Sequence, residues 1–164
     1  MSRMTPPAVV KRRATPYVAI AREAVIPFGA VISKTVPKVE KWLDKNGVEH
    51  GPAIFRYNRI KMPDLGMEFG FLLPKAHTGE GEIVAGTLPA GRYATTTFWG
   101  HYRHLMNVTA TLIGWAKECG HDFDMTKGRD GEHFVSRFEL YENGPQDEPD
   151  TDKWETSIFI KLRD

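Results

Sequence analysis

The chain carries one short pattern twice, a tryptophan followed by four residues and a glycine. It reads WLDKNG at Trp42–Gly47 and WAKECG at Trp115–Gly120. Apolar residues at helical spacing precede both tryptophans, and glycine is the residue that most readily ends a helix. Two helices that end alike indicate an internal repeat, so we expect one helix in each half of the 164-residue chain.

The segments around the two helices also repeat in the same order. In each half, one β-branched or aromatic strand precedes the helix and two strands follow it. The strands are expected at 17–23, 52–60 and 65–74, and again at 91–100, 133–141 and 154–162. Arg56-Tyr57 and Arg137-Phe138 take matching places in this interpretation. The sequence therefore predicts two βαββ halves, about 16–76 and 83–164, related by a pseudo-twofold axis with an apolar cleft between them.

Two segments outside the repeat are expected to lack regular structure. Residues 1–15 contain Lys11, Arg12 and Arg13 and are expected to form a disordered basic tail. The Gly-rich segment 74–86 is expected to link the two halves. Pro37 predicts either the start of the first helix or a kink in it.

Composition excludes several classes of protein. The charge is nearly balanced, with 22 basic and 21 acidic residues, so no direct nucleic-acid binding is expected. The single Cys119 excludes an intramolecular disulfide and favours a cytoplasmic setting. No apolar run reaches the roughly 18 residues of a membrane helix. The histidines show no metal-ligand spacing and the glycines no dinucleotide fingerprint, so we expect neither a metal nor a cofactor.

Glu139 is the candidate residue for chemistry. In the predicted strand VSRFELY, alternation places it on one face with Arg137 and Tyr141. A carboxylate among aromatic side chains is costly to desolvate unless something compensates it, so it could face a cationic ligand or move a proton. The alternative is an ion pair between Glu139 and Arg137 on a solvated sheet. Glu68 and Glu155 are expected at the surface.

Aromatic residues collect in the second half of the chain. Trp99, Tyr102, Tyr141 and Trp154 could line a pocket, because aromatic faces attract cations and stack on planar ligands. The alternative for each of them is to fill the core.

The chain from about Pro16, and most specifically from Leu88 to Leu162, resembles the GyrI-like small-molecule-binding family, which includes the effector-binding domains of MerR-type and AraC-type multidrug-responsive regulators. The resemblance rests on three segments, LPAGRYATTTFWGHYRHLMNVTATLIGWAKECG, RFELYENGP and DKWETSIFIKL. Leu88, Pro89, Gly91 and Tyr93 match its first strand, and Glu139 with Tyr141 matches its Glu-x-Tyr strand. Lys161 stands where the family often has proline.

This resemblance implies an α+β fold, with a curved antiparallel sheet, two helices and a central cleft. It also implies a cleft lined by aromatic side chains with one acid, here Glu139. The ligand-binding residues would be Glu139, Tyr141, Trp154, Tyr102, Trp99 and Tyr93. Since residues 1–15 are too few for a helix-turn-helix, we expect a free-standing member.

Three functions follow from the resemblance. The first is binding of lipophilic, cationic or planar aromatic compounds for sensing or sequestration. The second is hydrolysis of electrophilic cyclopropane-type genotoxins, with Glu139 as the catalytic acid or base. The third is inhibition of DNA gyrase through a protein interface. A regulator or gyrase would then be the protein partner.

Overall fold

The computed structural model describes residues 3–164, and within them two α-helices lie against a curled antiparallel sheet that forms a half-barrel. The predicted α+β class is therefore confirmed. The elements are β1 Arg3–Met4, β2 Ala8–Arg12, β3 Thr15–Val25, α1 Gly29–Lys45, β4 Ala53–Lys61, β5 Asp64–Leu72, β6 Ile83–Leu88, β7 Gly91–Trp99, α2 Leu105–Glu118, β8 Met125–Gly128, β9 Gly131–Phe134, β10 Arg137–Tyr141 and β11 Glu155–Lys161.

The two halves have the same strand order in the sheet. The first half runs β4-β5-β3 and the second β10-β11-β7, and the halves join where β4 and β10 pair antiparallel. Phe55 and Glu139 lie opposite each other at this join. The arrangement is consistent with a tandem duplication, which stays a prediction.

The helix ends are built alike in the two halves. The carbonyl of Trp42 accepts from the Asn46 amide, and the carbonyl of Trp115 accepts in the same way from the Cys119 amide. Gly47 and Gly120 follow with positive φ angles of 60° and 77°. Because glycine adopts this conformation without steric cost, the repeated Trp-x₄-Gly pattern encodes the same helix end twice.

The sheet has two faces that bury different clusters. The helix face carries α1, which packs on β3 and β5, and α2, which packs on β7. Phe69, Phe98 and Ile158 belong to the core on this face. The opposite face buries its own cluster, which consists of Tyr17, Ala19, Ile54, Leu72, Leu88, Tyr93, Phe138 and Leu140. The face of the sheet that a side chain occupies therefore decides which of the two clusters it can contact.

The expectation of a disordered tail is wrong for the described part of residues 1–15. β1 and β2 pair with β7, and Ala8–Arg12 runs antiparallel to it from Thr95 to Gly91. Val9 packs on the core of the helix face and Val10 on the cluster of the opposite face, so apolar burial as well as pairing holds this strand. Residues 1 and 2 lie outside the described residues.

Two further expectations need correction, and one alternative is settled. The proposed linker is partly regular structure, because β6 pairs with β3. The match between Arg56-Tyr57 and Arg137-Phe138 fails, because Arg56 pairs with Phe138 and shares its face of the sheet, whereas Arg137 lies on the helix face. α1 runs through Pro37, so the helix does not begin there.

Candidate functional site

Glu139 lies on the helix face at the join between the two halves, and it is only 8% exposed. Its Oε1 accepts hydrogen bonds from the hydroxyls of Tyr57, at 3.0 Å, and Tyr141, at 2.6 Å. Tyr57 comes from β4 and Tyr141 from β10, so each half of the fold supplies one donor. A carboxylate with this support can stay buried without an ion pair.

Burial and hydrogen bonding act in opposite directions on this acid. Desolvation raises the pKa of Glu139, while the two tyrosine hydroxyls and the charge of Arg137 lower it. Burial, followed by the charge of Glu139, holds the pKa values of Tyr57 and Tyr141 well above the usual tyrosine range. The two hydroxyls therefore remain protonated donors, and Glu139 is an acid that protonates more readily than one at the surface.

A row of aromatic rings crosses the helix face beside Glu139, from the start of α1 to the segment before α2. Neighbouring ring centroids lie 4.6–6.0 Å apart, within the range of favourable ring contacts. The row, in order, is Phe28, Phe69, Phe55, Tyr141, Tyr102 and Trp154. Most of its rings are partly exposed, so the row offers an aromatic surface above the buried acid.

Arg137 lies on the same face at one end of this site. Its guanidinium stacks over the ring of Phe134 at 4.8 Å and over the ring of Tyr57 at 5.7 Å. Desolvation lowers its pKa, and the carboxylates of Glu139 and Glu132 oppose that shift. The predicted alternative, an ion pair of Glu139 with Arg137 on a solvated sheet, is wrong, because Glu139 is buried and tyrosines bind it.

Thr156 adds a polar atom to the site. It pairs with Tyr141 across β10 and β11 and is fully buried. Its hydroxyl has no hydrogen-bond partner among residues 3–164. A buried hydroxyl without a partner destabilises the folded protein, so substituting Thr156 tests whether its hydroxyl is unpaired.

The structure brings together some of the predicted site residues and separates others. Tyr141, Tyr102 and Trp154 lie in the aromatic row next to Glu139. Tyr93 lies on the opposite face, where its hydroxyl donates to the carbonyl of Pro89 and is hydrogen-bonded to the Ser136 hydroxyl. Trp99 is also outside the group: its indole donates to Glu155 and stacks against Arg3. Strand alternation places these two side chains away from the helix face.

Sequence reasoning did not identify four aromatic members of the site, Phe28, Phe55, Tyr57 and Phe69. All four come from the first half of the chain, which lacks the Glu-x-Tyr motif. For Phe55 and Tyr57 the signal is the pairing of β4 with β10, which puts Phe55 directly opposite Glu139.

The surface placement of Glu68 is wrong. Glu68 lies on the opposite face, is 8% exposed, and accepts from Tyr17 and from Asn58, at 2.8 Å. Arg56 lies 3.6 Å from it and donates to the Tyr17 hydroxyl. Burial, reinforced by the charge of Glu68, raises the pKa of Tyr17 to about 12. This acid already has a cation beside it, which distinguishes it from Glu139.

A groove of about 700 Å³ lies elsewhere, where β3, β4 and β5 meet the first turn of α1. Its walls include Glu23, Arg59, Lys61 and Asp64, and Arg59 forms an ion pair with Glu23. Aromatic residues are not among its lining residues. The candidate site is taken at Glu139, because this buried acid lies beside partly exposed aromatic rings, whereas the groove is lined by surface charges such as the Arg59–Glu23 pair.

Neither a metal-binding cluster nor a membrane-spanning helix is present in the part of the chain that the structure describes. Within residues 3–164, no group of three His, Cys, Asp or Glu side chains is arranged to hold a metal ion. Over the same residues, no helix is both long enough and apolar enough to cross a membrane.

The decisive comparison is with a protein family. Residues 5–163 match the model of the GyrI-like small molecule binding domain. The chain belongs to this family. The resemblance found in the sequence is thereby confirmed, and it extends over nearly the whole chain. No curated protein sequence matches this GyrI-like chain.

Solved structures share the fold. The EcmrR chain in the cryo-EM structure of the EcmrR–DNA complex in EcmrR-RPo is 19% identical, with a TM-score of 0.78; the match covers 96% of this chain and 57% of that one. The EcmrR C-terminal domain is also 19% identical, with a TM-score of 0.73 and coverage of 96% and 97%. The GyrI-like chain thus spans 57% of the EcmrR chain in the complex and nearly all of its C-terminal domain.

A third structure carries a ligand. SAV2435 bound to tetraphenylphosphonium is 9% identical, with a TM-score of 0.58, and the match covers 97% of this chain and 94% of that one. At these identities the likeness concerns the fold. The family, together with this ligand-bound neighbour, supports small-molecule binding.

Proposed function

We propose that this GyrI-like protein binds lipophilic compounds, cationic or planar aromatic, on the helix face above Glu139. The observation that carries the proposal is the buried Glu139 carboxylate beside a partly exposed aromatic row. The rings supply dispersion and cation–π attraction, and the acid supplies the negative charge. Tetraphenylphosphonium in the related fold of SAV2435 is a ligand of this chemical type.

The ligand needs access to the carboxylate. Glu139 is covered by its own hydrogen-bond donors, so a cation must approach across the rings of Tyr57 and Tyr141. We expect one of these tyrosines to move when the ligand binds. The biological role would be sensing or sequestration of foreign compounds in the cytoplasm, without direct contact to nucleic acid.

Two isosteric ions test the proposal. Tetraphenylphosphonium and tetraphenylborate have nearly the same shape and opposite charge, so calorimetric titration of each isolates the charge preference. Wild type should bind the cation and bind the anion far more weakly. A charge pair at about 5 Å and an effective dielectric constant of about 20 is worth about 3 kcal/mol. Since desolvation offsets part of this, Glu139→Gln should weaken cation binding by at least roughly tenfold.

The opposite face offers a matched control. Glu68→Gln removes a second buried carboxylate of equal exposure and should leave tetraphenylphosphonium affinity unchanged. Equal loss in both variants, or no loss in Glu139→Gln, would contradict the assignment.

Hydrolysis is the second candidate function. It is favoured by the raised pKa of Glu139, because an acid that holds its proton more tightly than a surface glutamate is better suited to donate and recover it. A hydrolase from Listeria innocua has the same fold, at 8% identity and a TM-score of 0.62, and the match covers 96% of this chain and 91% of that one. Incubation with a cyclopropane-bearing alkylator, followed by mass spectrometry, should show a ring-opened water adduct that Glu139→Gln does not form. Turnover at the buffer rate would remove this candidate.

A further inference from the structure

Arg137 has a charge that no described residue neutralises at close range. Its guanidinium is partly buried against the rings of Phe134 and Tyr57, yet none of residues 3–164 accepts a hydrogen bond from it or lies at ion-pair distance. Guanidinium has five N–H donors in a planar fork that matches a carboxylate. No nitrogen of Arg137 is a fully buried atom without a partner, so its N–H donors face solvent and a ligand acceptor would replace water there.

Arg137 is held next to the candidate cation site. It precedes Glu139 by two residues on the same strand face, which corresponds to about 7 Å along the strand. Tyr57 lies between them: its hydroxyl donates to Glu139 and its ring faces Arg137. The site therefore presents a negative and a positive group along one line, separated by a single aromatic ring.

The start of α1 adds positive potential at the Arg137 end. Phe28, the residue before the helix, lies 6.5 Å from the Tyr57 ring. No side chain caps this helix start, and its first turn contains no acidic residue. The free amides and the helix dipole favour an anion at such an end.

An acidic residue lies near the other end of the aromatic row. Tyr102 packs there against Trp154, and burial, followed by the charge of Asp147, raises the pKa of Tyr102. The backbone of Glu148 accepts a hydrogen bond from the Trp154 indole, which places the segment with Asp147 and Glu148 beside the row. The carboxylate of Asp147 therefore lies near the end of the row that is farther from Arg137.

We propose that Arg137 binds an anionic group of the ligand, so that the site accepts aromatic zwitterions with the cation at Glu139 and a carboxylate at Arg137. This inference rests on the proposed function and names its ligand class more closely. It explains why a site for cations carries a guanidinium on the same face.

A dye and its ester test the inference. Rhodamine B at pH 8 carries a cationic ring system and a free carboxylate, and its ethyl ester keeps the cation and lacks the anion. Fluorescence anisotropy should show that wild type binds the acid roughly tenfold more tightly than the ester, the lower range for a charged hydrogen bond. Arg137→Met, which keeps length and packing, should abolish this preference by weakening the acid alone.

Controls separate the two proposals. Arg129→Met makes the same change in an exposed turn and should keep the wild-type ratio of the two affinities. Arg137→Lys keeps the charge and should retain a preference for the acid. Equal affinities of wild type for acid and ester would overturn the inference, even where tetraphenylphosphonium still binds at Glu139. Failure of wild type to bind either dye or tetraphenylphosphonium would instead overturn the proposed function.

Discussion

Tyr141 donates a hydrogen bond of 2.6 Å to Glu139, two residues earlier on the same strand. Alternation along a strand places both side chains on one face, and burial strengthens the bond between them. This contact holds the acid in an aromatic setting without an ion pair. Removing the Tyr141 hydroxyl therefore tests directly how Glu139 is stabilised.

Removing that hydroxyl should destabilise the protein in a pH-dependent way. Tyr141→Phe leaves the carboxylate with one donor. The free energy of unfolding of this variant should therefore be about 1.5–3 kcal/mol below that of wild type where Glu139 is ionised. The loss should shrink as acid protonates Glu139. Urea denaturation at pH 5 and pH 8 measures both values. Tyr102→Phe is the control, because its hydroxyl does not bind Glu139; an equal effect in both variants would contradict this account.

Glu139 should make the protein less stable as pH rises. Because burial raises its pKa, the folded protein binds the proton more tightly than the unfolded chain, whose glutamates titrate near about 4.3. Its contribution is fully present below that value and is lost as pH rises through the folded pKa. The free energy of unfolding of Glu139→Gln, measured relative to wild type, should therefore increase with pH. A difference that stays constant from pH 4 to pH 8 would show that the acid has an ordinary pKa.

Two buried threonines should respond oppositely to the same substitution. Thr156→Val removes a hydroxyl without a partner and should raise the free energy of unfolding by about 1 kcal/mol. Thr96→Val removes a hydroxyl that donates to the Thr5 carbonyl at 2.7 Å and should lower it by about 1 kcal/mol. Chemical denaturation of the pair measures both signs. Destabilisation by Thr156→Val would indicate a bound partner, such as water, at that hydroxyl.

The N-terminal strand should contribute to stability and to solubility. Deleting residues 1–12 removes the burial of Val9 and Val10 and exposes the edge of β7. We expect a loss of at least about 2 kcal/mol and concentration-dependent association, since open edges pair with other chains. Lys11→Ala, which changes an exposed side chain of the same strand, should preserve both properties. Thermal melts measure the loss of stability, and light scattering measures the association.

The repeat and the alternation of β10 were enough to predict much of the fold and the position of the acid. The two Trp-x₄-Gly segments end two helices, and Glu139 shares a face with Tyr141. These features are local, because they depend on spacing within one element.

The remaining parts of the site depend on pairing between distant strands. Matching Tyr57 to Phe138 by their neighbouring arginines puts Tyr57 on the wrong face, because a shift of one residue reverses every side chain of a strand. Only the pairing of β4 with β10 brings Tyr57 to Glu139, 82 residues away. Tyr93 was misplaced for a related reason, because its motif identifies the strand but not the face that contacts ligand.

The crystal structure of the complex with tetraphenylphosphonium tests the central claim most directly. The phosphonium should lie on the helix face between α1 and α2, with its phenyl rings against Phe55 and Tyr141 and with Glu139 as the nearest carboxylate. A ligand bound beside Glu68 on the opposite face, or in the groove lined by Glu23 and Asp64, would contradict the assignment of Glu139.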